Sequence, residues 1–217
     1  MRNLIVNTFV TLDGVMQAPG GPEEDTAGGF EQGGWSVNYW DDVMGGWMGA
    51  SMGRPFDLLL GRKTYEIFAA HWPHAPEDEA ALVLNNARKY VASRTLERAD
   101  WKNSTLIRDL PREVAALKAQ NGPEIQVHGS SQLLQTLLAH DLVDRIQIMT
   151  FPVVVGAGKR LFGDGTLPRN LQLVESIVSG TGVIIAAYEF AGRIVTGSFA
   201  LETPTEEELD RRARQEA

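Results

Sequence analysis

Leu58-Leu59-Leu60-Gly61-Arg62-Lys63-Thr64-Tyr65-Glu66 joins two different patterns through a single glycine. Phe56 to Leu60 is a short apolar run, which predicts a buried strand. Thr64-Tyr65-Glu66-Ile67-Phe68 starts a helical spacing, and Gly61 allows a tight turn between the two. A helix that springs directly from a strand end points its first backbone N–H groups, at the positive end of its dipole, above the sheet. Arg62 and Lys63 add two cations at the same spot. Alone, this is equally an ordinary turn with a solvated cation pair. Glycine, free N–H groups and cations together suit a phosphorylated ligand.

Two further junctions repeat that chemistry. Lys89 to Ala92 reads as a short strand running into Ser93-Arg94-Thr95, a hydroxyl and a guanidinium suited to a phosphate monoester. Glu124 to Val127 reads as a strand ending in His128-Gly129-Ser130-Ser131. That turn opens a helix striped with Leu133, Leu134, Leu137, Leu138 and Leu142, so its N–H groups face an anion too. In open parallel sheets, ligands bind beyond the carboxyl ends of the strands, where all three junctions fall.

The rest of the chain supplies the frame. Leu4 to Val10 is a first strand, rich in β-branched and aromatic residues. Asp13 to Gly34 is polar and holds glycines 14, 20, 21, 28, 29, 33 and 34; a stretch that long is a functional lid or a disordered insertion. Tyr39 to Met52 predicts a helix with Trp40, Val43, Met44, Trp47, Met48 and Met52 on a buried face, weakened by Gly45, Gly46 and Gly49. Glu77 to Asn86 and Pro111 to Ala119 read as helices, the second with proline at its first position, and Thr105 to Ile107 as an edge strand. Leu171 to Val178 and Val183 to Phe190 flank Ser179-Gly180-Thr181-Gly182 as a hairpin. Strands alternate with helices to about residue 145 and then dominate. This predicts an α/β fold with a mainly parallel sheet flanked by helices and an antiparallel C-terminal hairpin. One domain is expected over residues 1–192. A C-terminal extension follows over residues 193–217, where the capping box Thr205-Glu206-Glu207-Glu208 opens a short charged helix running to Ala217.

Composition narrows the function classes. With 217 residues and 43% hydrophobic content, the chain can bury a sizeable core. The net charge of −8 argues against nucleic acid as a partner, since phosphate backbones are met by a basic field. No stretch approaches a membrane span and the start lacks a signal-peptide pattern, so a cytoplasmic protein is expected. The absence of cysteine rules out disulfides, thiolate catalysis and cysteine-bound zinc. His71 and His74 flank Trp72-Pro73 with too few further ligands for a metal, so no metal site is expected. A P-loop is missing, and Leu161 stands where the third glycine of a dinucleotide fingerprint beginning at Gly156-Ala157-Gly158 would be.

The order Gly61-Arg62-Lys63-Thr64-Tyr65-Glu66 resembles the cofactor turn of the dihydrofolate reductase fold. Leu142-Val143-Asp144-Arg145 running into Pro152-Val153-Val154-Val155-Gly156-Ala157-Gly158-Lys159-Arg160-Leu161-Phe162 is similar to a segment of the reductase relatives in riboflavin biosynthesis, the RibD C-terminal domain type. Thr11-Leu12-Asp13-Gly14 resembles their opening motif. The resemblance spans residues 4 to 190, and it implies the dihydrofolate reductase-like fold and NADPH as cofactor. It assigns the 2′-phosphate to Gly61, Arg62, Lys63, Thr64, Ser93 and Arg94, and the pyrophosphate to Gly129, Ser130 and Ser131. His128 departs from it, standing where the family has the first of a glycine pair. A cysteine-free chain lacks the zinc deaminase that accompanies this reductase in bifunctional enzymes.

By the same resemblance, Val10 and the Asp13–Gly34 loop close over the nicotinamide, and the aromatic helix forms the opposite wall. Asp41 takes the place of a carboxylate that orients a pterin, or serves as an ordinary acidic helix start. Asp13, Tyr39, Trp40 and Thr150 are the remaining candidates for the substrate pocket; Trp35, Tyr39, Trp40 and Trp47 stack on a flat ring or fill core. The implied activity is NADPH-dependent reduction of a pyrimidine- or pteridine-like heterocycle, nearest to 5-amino-6-(5-phosphoribosylamino)uracil reductase. The alternatives are a dihydrofolate or pteridine reductase, and an NADP-binding module of the same fold with little turnover. A homodimer is expected, because the C-terminal hairpin leaves a sheet edge to cover.

Overall fold

In the computed structural model, which describes residues 1–215, every strand joins one eight-stranded sheet of order β4-β3-β2-β5-β1-β6-β8-β7. These are β1 (Leu4–Thr11), β2 (Phe56–Gly61), β3 (Lys89–Ala92), β4 (Ser104–Ile107), β5 (Glu124–Val127), β6 (Arg145–Phe151), β7 (Leu171–Val178) and β8 (Ile184–Phe190). The six strands from β4 to β6 run parallel, while β8 pairs antiparallel with both β6 and β7. The expected mainly parallel sheet with an antiparallel end is therefore present, and β4 is its edge. Among the described residues no helix is long and apolar enough to cross a membrane.

Alternation along β1 sorts the two faces. Leu4, Val6 and Val10 join Leu59, Ile125, Val127 and Ile146 in a core covered by α4 (Leu110–Ala119) and α5 (Ser131–Ala139), through Val114, Leu134 and Leu137. On the opposite face lie α1 (Asp42–Met52), α2 (Arg62–His71) and α3 (Glu79–Asn86). There Phe56, Leu58 and Leu60 meet Tyr65 and Leu84, while Met44 of α1 packs on Met149 and Phe151. Lys89, fully buried at the start of β3, donates to the carbonyls of Asn85 and Ala87 and lies 4.0 Å above the Trp101 ring. Those contacts tie the end of α3 to the sheet.

Some boundaries move. The stretch expected as one helix from Tyr39 splits into a 3-10 turn (Val37–Tyr39) and α1, because the Asp41 carboxylate caps the Met44 N–H at 3.0 Å and fixes the helix start at Asp42. Asp78 caps α3 in the same way, so that helix begins at Glu79 rather than Glu77. Pro111 is the second residue of α4, not the first. After β8 the chain runs without regular structure to α6 (Glu206–Ala213), capped by Thr205. The last two residues of the helix expected to reach Ala217, Glu216 and Ala217, lie outside the described residues.

The glycine-rich segment is an ordered insertion with a small core of its own, Val15, Ala18 and Phe30. Gln17 Nε2 donates to the Asp25 and Ala27 carbonyls at 2.9 Å, and Trp35 Nε1 returns a bond to the Gln17 carbonyl at 2.8 Å. Asp25 pairs with Lys159 and lies 3.6 Å from Lys63, which fastens the segment over the β2–α2 junction.

Candidate functional site

Helix starts in this chain are of two kinds. Side chains cap α1, α3, α4 and α6, namely Asp41, Asp78, Asp109 and Thr205. The starts of α2 and α5, at Gly61 and Ser130, carry no side-chain cap. The first N–H groups of a helix have no intrahelical acceptor and demand a partner, so these two ends are open to an anion. They also abut. A Cβ built on Gly61 would fall inside the van der Waals shell of Ser130 Oγ and lie 3.2 Å from Ser130 Cβ. Gly129 has φ +121°, a conformation L side chains rarely adopt, and a Cβ there would meet Thr64 Oγ1 at 3.1 Å. The Gly129–Ser130 peptide is cis.

The third junction is held from outside. Ser93 Oγ accepts from the Leu96 N–H at 2.9 Å, rounding the turn after β3. Arg108, just past the end of β4, donates to the Ser93 and Leu96 carbonyls at 2.7 and 2.6 Å. Sequence reading missed this arginine. The signal was available, since it follows a strand end like the other three junctions.

All three turns line one cavity of about 1710 Å³, which takes in Gly61, Arg62, Lys63, Thr64, Ser93, Arg94, Gly129, Ser130 and Ser131. Nine of the ten expected cofactor residues are thus brought together. Arg62 and Arg94 are exposed at its surface, Arg62 resting 3.1 Å from Glu66. Val10 is the exception. It points into the α4–α5 core at 5% exposure, and its neighbour Phe9 reaches the cavity instead, because successive side chains on a strand face opposite ways.

The other half of the cavity is walled by Trp40 and, from α1, by Gly45, Met48, Gly49 and Met52, with Phe68 of α2 and Trp72 just past its end. Of the four substrate-pocket candidates only Trp40 lines it, its ring 6.0 Å from that of Phe9. Tyr39 instead packs edge-on to Phe151. Thr150 pairs with Val10 and Ile184 outside the lining, with the wrong parity to face α1. Asp13 organises the neighbouring loop: it accepts from the Thr11 hydroxyl at 2.5 Å and the Gly156 N–H at 2.8 Å, and the Thr11 bond first of all lowers its pKa. Asp41, the catalytic candidate, is spent as the α1 cap. Its pKa is lowered chiefly by the Met44 N–H, and it lies beside the β7–β8 turn rather than in the cavity lining.

At the centre, on the α1 face, stand Asn7, Gln126 and His128. Gln126 is fully buried; its Oε1 lies 3.2 Å from Asn7 Nδ2 and 3.0 Å from His128 Nε2. Burial pushes the His128 imidazole down to about 4, so the ring is neutral near pH 7. Below pH 6.5 an unfolded chain binds a proton here that the folded one refuses, so stability falls as pH drops from 6.5 towards 4. The loss by pH 5 should be about 2 kcal/mol by this linkage. Urea unfolding near pH 7.5 and pH 5 should show that slope in the wild type and its absence in His128→Gln. Equal slopes would assign the acid sensitivity to other groups.

Comparison with known proteins agrees with the architecture. The Bacillus subtilis (strain 168) protein YyaP is 28% identical over 195 residues, covering 88% of this chain and 96% of its own. A putative riboflavin biosynthesis protein from Shewanella sp. PV-4 superposes with a TM-score of 0.67 at 21% identity, over 87% of this chain and 99% of that one. Dihydrofolate reductase from Enterococcus faecalis, solved with NADP(H), gives a TM-score of 0.54 at 13% identity, over 87% and 96% of the two chains. Those likenesses establish a shared fold. The sequence itself goes further: residues 2–185 match the RibD C-terminal domain, and the chain belongs to that family.

Proposed function

We propose that this protein is a cytoplasmic NADPH-dependent reductase of a flat pyrimidine- or pteridine-like heterocycle. The observation that carries this reading is the convergence of two uncapped helix starts and the Ser93–Arg94 turn on one cavity. The residues fit a dinucleotide phosphate. The close approach of Gly61 to Ser130 brings both sets of N–H groups to one spot, and Arg62, Lys63 and Arg94 supply the charge. Arg62, Arg94 and the Ser93 hydroxyl would take the 2′-phosphate, and the amides of Gly129, Ser130 and Ser131 the pyrophosphate.

NADPH held there would supply a hydride. The chain's own task is orientation and exclusion of water, for which Phe9, Trp40, Met48 and the Asp25-anchored segment form an apolar enclosure. A calorimetric titration tests the first half of the proposal and NADPH oxidation with aminouracils and pteridines the second. Failure to bind NADPH at millimolar concentration would sink it. A module that binds NADP with little turnover is the second reading, favoured by the use of Asp41 as a helix cap outside the cavity. NADPH binding without oxidation across the substrate panel would select it.

We also propose that two copies associate through the C-terminal hairpin. Strand β7 is the edge of the sheet opposite β4, and Leu173, Val174, Ile177, Val178 and Ile184 are exposed at 43% or more. An apolar edge of this kind invites pairing. Light scattering at micromolar concentration should give twice the 23.8 kDa chain mass, and Ile177→Lys should return the monomer. A wild-type monomer would refute the proposal.

A further inference from the structure

The polar centre of the cavity dictates what a ligand must bring to it. Gln126 Nε2 lies 2.7 Å from the Glu124 carboxylate and 3.1 Å from the Ser51 carbonyl, both of which only accept. The amide NH2 therefore points that way, and Oε1 is the atom facing Asn7 and His128. An amide oxygen cannot donate, so His128 Nε2 must carry the hydrogen of their 3.0 Å bond. In a neutral imidazole the other nitrogen, Nδ1, is then a bare acceptor. It makes no hydrogen bond among the described residues, and His128, only partly buried, lines the cavity.

Charge is distributed just as unevenly. The lysines and arginines that line the cavity are Arg62, Lys63, Arg94, Arg108 and Lys159. Four follow the ends of β2, β3 and β4, and Lys159 is tied to Asp25. The α1 half presents Trp40, Met48, Met52, Phe68 and Trp72 and, among the described residues, no cation, and Asp78 at the cap and Glu79 at the start of α3 line the cavity as well. A phosphate lodged on that side would meet apolar surface and carboxylates.

We infer that the substrate is an uncharged flat heterocycle which donates a ring N–H to His128 Nδ1 and carries no phosphate group. This rests on the reductase reading for the placement of NADPH in the other half. His128 then determines specificity: it selects a hydrogen-bond donor at one edge of the ring, with Gln126 and Asn7 locking its orientation. The phosphoribosyl arm of 5-amino-6-(5-phosphoribosylamino)uracil has no counterpart in such a pocket.

Lumazine, with two ring N–H groups, and 1,3-dimethyllumazine, with none, separate the possibilities by calorimetry on NADP+-loaded protein. Lumazine should lose about 10-fold in affinity in His128→Phe and recover in His128→Gln, whose amide oxygen can accept. Dimethyllumazine and NADPH should bind all three proteins equally within about twofold. Equal losses for both lumazines, or no lumazine binding by the wild type, would overturn the inference. So would a loss confined to NADPH, which would give Nδ1 to the cofactor. The phosphoribosylated aminouracil should bind no better than its dephosphorylated form; a tenfold preference for the phosphate, by about 1.4 kcal/mol, would also overturn it. Failure of NADPH to bind the wild type would instead refute the reductase reading, and lumazine titration of the unloaded protein would still test His128.

Discussion

Gly61→Ala is expected to weaken NADPH binding by about 10- to 100-fold, and Gly61→Val to abolish it, since overpacking a tight contact costs about 1–3 kcal/mol and more for larger groups. The backbone at Gly61 has φ −72°, which any residue adopts, so the cost comes from the side chain alone. Ser130 Oγ can rotate away from a new methyl, but Ser130 Cβ at 3.2 Å cannot. The start of α5 is thereby pushed off the start of α2, and the two sets of N–H groups separate. Adding Ser130→Gly to Gly61→Ala should restore most of the binding while keeping both amides. Wild-type affinity in Gly61→Ala would show that the close approach of the two turns is unnecessary for the cofactor.

The second large effect is discrimination between cofactors. NADPH and NADH differ only in the 2′-phosphate, so preference must come from groups that meet it. Arg62→Ala and Arg94→Ala should each weaken NADPH by roughly 10- to 100-fold, from about 1.5–3 kcal/mol per charge-assisted hydrogen bond, and leave NADH nearly unchanged. Arg62 already faces Glu66, but that i,i+4 pair is exposed and weak, so a phosphate can displace it. Titration of both cofactors against both variants decides the matter. Equal losses for NADH and NADPH would make these arginines structural.

The three turns were legible in the sequence because each joins a strand end to a small residue, and two of them add a cation within four positions, chemistry that is local. What escaped depended on the direction of a side chain. Val10 and Phe9 are adjacent and both apolar, and only the pairing register decides which of them faces α1. Thr150 failed for the same reason. For Asp41 the sequence offered both a ring-orienting carboxylate and an acidic helix start, and its side chain is found capping the start of α1. His128 was visible only as a departure from a glycine pair. Its partners Gln126 and Asn7 come from the strand it follows and from that strand's neighbour β1, and nothing in their spacing announces a network.

The strand order also governs when the site comes into being. Gly61, Ser93 and Gly129 are separated by more than thirty residues at each step, but β3, β2 and β5 are neighbours in the sheet. Parallel pairings of that span close long loops before any contact rewards them, which makes them slow to form. No single βα unit therefore carries a usable fragment of the cavity. During refolding, the capacity to bind cofactor should return with the assembly of these central strands, later than the helical signal, so nucleotide fluorescence would serve as a clock for completion of the sheet.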